Sequence, residues 1–102
     1  MKKILLFVGL FGLASSVNAE FVASGTATRF HVGPNNFAIY LESTKGCPSQ
    51  WYYVYINDTG YETWKMLFDL SLLVYEKHKH ISIFHTNAAC NLKRFGAIDT
   101  IN

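Results

Sequence analysis

Residues 51–78 read WYYVYINDTGYETWKMLFDLSLLVYEKH, and the change of period within them decides the fold. From Trp51 to Ile56 aromatic and β-branched residues alternate. Trp51, Tyr53 and Tyr55 fall on one side and Tyr52, Val54 and Ile56 on the other, the pattern of a strand with apolar surface on both faces. Thr59-Gly60-Tyr61-Glu62 then fits a capping box, with Thr59 as N-cap and Glu62 reaching back. At 100° per residue Trp64, Leu67, Phe68, Ser71, Leu72, Val74, Tyr75 and His78 share a broad face, the expected core side of a helix. Glu62, Lys65, Asp69 and Glu76 form only a narrow polar stripe, and Met66, Leu70 and Leu73 make a second apolar stripe beside it. Either a loop covers that stripe or a second subunit does. Contiguous exposed apolar patches mark interfaces, so Met66, Leu70 and Leu73 are expected at a subunit contact of a homo-oligomer.

Working outward, residues 21–32 are rich in β-branched and small side chains and end in Val32-Gly33-Pro34-Asn35-Asn36, a cluster of turn formers. This is a first strand and a hairpin. Phe37, Ile39 and Leu41 alternate with Ala38, Tyr40 and Glu42 in a second strand, and residues 43–50 form a loop. After the cations Lys77 and Lys79 at the helix end, residues 80–85 alternate as a fourth strand. Residues 86–94 are a polar loop, and residues 95–101 form a short closing strand anchored by Ile98 and Ile101. The order is β-β-β-α-β-β, a mainly β chain with one helix (α+β). It fits the five-stranded Greek-key barrel known as the OB-fold, an architecture that binds oligonucleotides or oligosaccharides.

The first nineteen residues carry Lys2 and Lys3, an apolar run from Ile4 to Leu13 and Val17-Asn18-Ala19, the three marks of a secretory signal peptide. The expected organisation is a signal peptide at 1–19 and one domain at 20–102, secreted or periplasmic. Loss of Lys2 and Lys3 leaves seven Lys and Arg against seven Asp and Glu. A neutral chain lacks the cationic surplus with which nucleic-acid binders displace counterions, so a nucleic-acid partner is not expected. No second apolar run is long enough for a membrane span. Cys47 and Cys90 have only each other in an oxidising compartment, and a disulfide between them is expected.

Ser24-Gly25 followed by Thr28-Arg29-Phe30-His31-Val32-Gly33 resembles the opening strand of the B subunits of subtilase-cytotoxin type, the pentameric glycan-binding parts of bacterial AB toxins. The acidic Glu42 after strand two, the amphipathic helix after strand three and the fourth strand follow the same order. The resemblance implies an OB-fold homo-oligomer, a pentameric ring with helices toward the pore, an enzymatic A subunit as partner, and a sialic-acid-type glycan on the side of the barrel. Residue by residue it implies glycan contacts at Ser24, at Glu42 and at Phe84, which stands where the family has a tyrosine and lacks that hydroxyl. The expected function is a secreted glycan-binding subunit; the alternative is an exported OB-domain that binds or inhibits another protein.

Other chemistry finds little support in the pattern. The cysteines are committed to each other, and His31, His78, His80 and His85 do not show metal-ligand spacing, so no metal or other cofactor is expected. No Gly-x-Ser-x-Gly elbow is present and spacing supplies no acidic orienter for a histidine, so no catalytic residue and no enzyme activity is expected. Asn57-Asp58-Thr59 matches a glycosylation acceptor, but the short Met-Lys-Lys opening reads as bacterial and the same residues suit a turn. Seven Trp and Tyr residues lie between Trp51 and Tyr75. Rings with polar edges suit surfaces that meet sugars or subunits, above all those of strand three that face away from the helix.

Overall fold

The computed structural model describes residues 19–101, so all of the expected signal peptide except Ala19 lies outside the described residues. Five antiparallel strands form one sheet: β1 (Glu20–Val32), β2 (Asn36–Gly46), β3 (Gln50–Tyr55), β4 (His80–His85) and β5 (Ala97–Ile101). Their spatial order is β3-β2-β1-β4-β5. A short helix α1 (Ile56–Thr59) and the main helix α2 (Tyr61–Glu76) lie between β3 and β4. The element order and the α+β class are those the sequence implies.

The sheet does not close through a continuous ladder as a complete barrel would. Its edge β3 meets the other end of the chain at a single parallel bridge, Tyr53 to Arg94. There the Tyr53 amide donates to the Lys93 carbonyl at 2.8 Å and the Phe95 amide donates to the Tyr53 carbonyl at 3.1 Å. The Cys47–Cys90 disulfide is formed, with Cα atoms 5.4 Å apart, and pins the loop after β4 to the end of β2. Gln50 Nε2 adds a 2.9 Å hydrogen bond to the Cys90 carbonyl.

The core follows from strand alternation. Phe37, Ile39 and Leu41 of β2, Tyr52 and Val54 of β3, and Ile81 and Ile83 of β4 are fully buried. In β1 a register shift between Ala27 and Arg29 allows both Ala27 and Phe30 to face inward, although three positions separate them. Phe37 sits at the centre of an aromatic cluster, stacked on Phe30 and edge-on to Trp64, Phe68 and Phe95, with centroids 5.5 to 6.0 Å apart. Helix α2 covers this cluster with Leu67, Ser71 and Val74 buried.

Four local expectations are corrected. Ile56 begins α1 rather than ending β3. Thr59 is the last residue of that turn, so its hydroxyl donates to the Tyr55 carbonyl at 3.3 Å and to the Gly60 carbonyl at 3.1 Å. The capping box therefore does not form, and Gly60, at φ 84°, is the N-cap of α2. His78 lies beyond the helix end in the left-handed region at φ 53° and is exposed, not part of the core face. Finally, the second helix stripe is split. Met66 and Leu73 are 68% and 46% exposed, whereas Leu70 packs against the core, three residues from Leu67 and four from Val74.

Candidate functional site

The alternation that buries Tyr52 and Val54 turns Trp51, Tyr53 and Tyr55 to the opposite face of β3. Strand register extends that face across the sheet. Trp51 pairs with Tyr40 and Tyr40 with Arg29; Tyr53 pairs with Ala38 and Ala38 with His31. The rings touch one another: Trp51 lies 5.7 Å from Tyr40 and 6.3 Å from His31, edge-on to both, and Tyr53 is stacked on Tyr55 at 5.8 Å. Ala38, 0% exposed although it points away from the core, is roofed by these neighbours. The result is a half-buried aromatic platform with a small residue at its floor.

Two guanidinium groups flank the platform. Arg29 lies over the Trp51 ring at 5.2 Å and Arg94 over the Tyr55 ring at 4.7 Å, both within cation–π range. The placement of Arg94 is a consequence of closure. Paired with Tyr53 at the parallel bridge, it must point to the same side as Tyr53, while its neighbour Phe95 turns into the core and is fully buried. A cleft of about 260 Å³ opens at this end, lined by Asn35, Tyr55, Asn57, Asp58 and Arg94.

Asp58 joins this cleft to a second one. Its Oδ1 is 3.9 Å from Arg94 Nη1 and its Oδ2 is 2.9 Å from His85 Nε2. Sequence spacing gave no hint of this histidine–carboxylate pair, because it joins α1 to the end of β4. The other ring nitrogen, Nδ1, is 3.1 Å from the Asn87 amide and 3.0 Å from the Asn87 carbonyl. Both imidazole nitrogens are thus engaged, which fixes the ring, and His85 and Asp58 line a 230 Å³ cleft together with Phe84, Thr59, Thr63 and Thr86.

The three residues implied as glycan contacts lie elsewhere in the sheet. Ser24 is 5% exposed, and its Oγ is 2.6 Å from Ser82 Oγ on β4. Phe84 shares that face by alternation with the buried Ile81 and Ile83; it is half-buried and meets Phe21 edge-on at 6.0 Å. Glu42 is exposed on β2 and pairs with Thr26, not Ser24. Ser24 and Phe84 are therefore brought to one face, with Glu42 on the neighbouring strand. Among the described residues no group of three or more His, Cys, Asp and Glu comes close enough to hold a metal ion, and no helix is long and apolar enough to cross a membrane.

Comparison of the chain with models of protein families, with curated proteins and with solved structures finds no match in any of the three.

Proposed function

We propose that this chain is an exported, non-enzymatic protein that binds carbohydrate through the outer face of β1, β2 and β3. The observation that carries the reading is the row Trp51, Tyr53 and Tyr55, held on the solvent side of a strand whose other face is core. A globular domain gains nothing in its core from aromatic rings placed outside the sheet. Flat apolar rings with polar edges instead match the C–H faces and hydroxyl rims of sugars. The ring contacts with Tyr40 and His31 hold the platform in place before a ligand arrives, which lowers the ordering cost of binding. The test is a glycan array on the oxidised protein, with sialylated structures, the class the toxin resemblance implies, as one arm. Trp51→Ala should abolish the signal, with thermal unfolding of the variant showing that the fold is kept despite the lost contacts with Tyr40 and His31. Retention of binding by that variant would move the site off the platform.

One observation favours a second reading, in which the partner is a protein. Met66 and Leu73 expose apolar surface on α2. Such a surface serves a subunit contact in a homo-oligomer or a contact with another exported protein.

A further inference from the structure

We infer that the ligand of the aromatic platform is an oligosaccharide bearing two acidic groups, carboxylate or sulfate, one bound at each end of the Trp51–Tyr53–Tyr55 row. The inference rests on the carbohydrate-binding reading and adds to it the charge of the sugar and its direction along β3.

The two ends are alike in construction although they come from distant parts of the chain. Arg29 of β1 covers Trp51, and Arg94 of the closing segment covers Tyr55. A guanidinium held near a ring by a cation–π contact still has an N–H edge to offer, and that edge can receive a planar carboxylate or a sulfate through two parallel hydrogen bonds. Neither edge is used up within the protein. Among the described residues Arg29 makes no ion pair, and Arg94 has only Asp58 at 3.9 Å, beyond hydrogen-bond distance, with the other Asp58 oxygen taken by His85. Asn35 and Asn57 add amide groups at the Arg94 end that suit sugar hydroxyls.

Trp51 and Tyr55 are four residues apart on one strand, so the two strand positions that the cations mark are on the order of 13 Å apart at about 3.3 Å per residue. The acidic side chains near this face are Asp58 at the Arg94 end and Glu42, two residues beyond Tyr40 on β2. They prevent a broad basic field and leave two discrete positive points. A single-stranded nucleic acid places a phosphate at every nucleotide and calls for a continuous basic groove, which two arginines do not form in a segment, residues 20–102, that carries as many acidic as basic side chains. An oligosaccharide with spaced acidic groups and apolar ring faces between them fits both the charges and the rings.

The test titrates the oxidised protein with four probes: an oligogalacturonate, a heparin-derived hexasaccharide, chitohexaose as a neutral sugar, and a twelve-residue oligothymidylate. Binding to one or both acidic sugars, falling as salt is raised, is the expected result, and the two probes separate carboxylate from sulfate. Arg29→Gln and Arg94→Gln should each weaken acidic-sugar binding by about tenfold or more and flatten its salt dependence. Arg94→Lys should recover only part, since an ammonium keeps the charge and loses the fork. Thermal unfolding of each variant reports whether the fold is kept. Chitohexaose bound as tightly as the acidic sugars, with both Gln variants unchanged, would overturn the two-cation inference and leave the carbohydrate reading standing. Binding to no sugar would overturn both, and tighter binding to oligothymidylate would replace them with a nucleic-acid site.

Discussion

Ser24 Oγ and Ser82 Oγ face each other at 2.6 Å across the β1–β4 ladder, where the two residues are also a register pair. Each hydroxyl is buried and each serves the other, so the pair behaves as a polar clasp between neighbouring strands. Ser24→Ala should therefore cost about 1 to 3 kcal/mol of stability, because it strands the buried Ser82 hydroxyl. The double variant Ser24→Ala/Ser82→Ala should lose less than the sum of the two single changes. Denaturant midpoints of the four proteins make the measurement, and strict additivity would show that the hydroxyls are not coupled. For the glycan contact implied at Ser24, the same variants separate lost binding from lost stability.

Gly25 allows β1 and β2 to approach. A Cβ built there would overlap the Glu42 carbonyl oxygen and press on the Ser43 Cα, both backbone atoms that cannot swing away. Gly25→Ala should consequently destabilise the domain by several times the roughly 1 kcal/mol usual for a point change, or prevent folding. Gly60→Ala is the contrast. Its added Cβ meets nothing within 4 Å, so only the positive φ of that residue is penalised. Equal unfolding midpoints for the two variants would show that the close strand approach is not what the glycine serves.

The exposed stripe of α2 gives a prediction about association. Met66 and Leu73 are exposed on a helix whose other side is sealed by core contacts, and Tyr61 is exposed on the same helix. The oxidised protein at tens of micromolar should scatter light as an oligomer, and Met66→Lys/Leu73→Lys should scatter as a monomer with little change in unfolding, since surface changes usually cost within about 0.5 kcal/mol. A monomer at that concentration would remove the subunit contact from the account and leave these residues to a heterologous partner or to solvent.

The fold was legible where one residue pattern acted alone. Alternation separated Tyr52 and Val54 from Trp51, Tyr53 and Tyr55, although with both faces apolar it did not say which was core, and the cysteine count joined Cys47 to Cys90. It was illegible where a short turn or a long-range pairing intervened. Four residues of α1 are too few to show a period, so Thr59 looked like the N-cap of the longer helix although it closes the shorter one. Arg94 and Asp58 sit in stretches that read as a polar loop and a turn. Their positions depend on the parallel bridge to Tyr53 and on His85 at the end of β4, contacts that no local pattern encodes. The barrel expectation failed only in extent. A single bridge, not a full ladder, joins β3 to the closing segment, which follows directly on the disulfide-bonded Cys90.

Tyr52 links stability to pH. It is fully buried with its hydroxyl donating to the Pro48 carbonyl at 2.7 Å. Burial pushes its phenol above the ordinary tyrosine value, an effect the Gln50 side chain partly offsets. The folded protein therefore holds a proton that the unfolded chain releases from about pH 10 upward. This contribution is complete below that pH and is lost as pH rises through the folded-state value. Tyr52→Phe should cost about 1 kcal/mol at neutral pH through loss of the Pro48 bond, and should show a shallower alkaline decline. Urea midpoints from pH 8 to 11 test it, and parallel curves for the two proteins would assign the alkaline decline to other groups.

The disulfide connects stability to the platform. Cys47 and Cys90 are 43 residues apart in sequence, and closing a loop of that size removes about 4 kcal/mol of denatured-state entropy on the chain-entropy account. The same bond holds the start of the segment that carries Arg94 against β3, alongside two backbone hydrogen bonds, the Gln50 contact, the Arg94–Tyr55 contact and the burial of Phe95. Reduction should thus act twice. It should lower global stability by a few kcal/mol, and it should loosen residues 90–95 at temperatures where the rest of the sheet persists, since segments with few contacts open first. Amide hydrogen exchange measures both effects, with the Tyr53 and Phe95 amides, the two donors of the parallel bridge, as reporters. In the reduced protein they should exchange faster than the amides of the β1–β2 ladder. If all of these amides instead accelerate together, the closing segment is not separable from the sheet, and Arg94 is held over Tyr55 by the core packing of Phe95 and not by the disulfide.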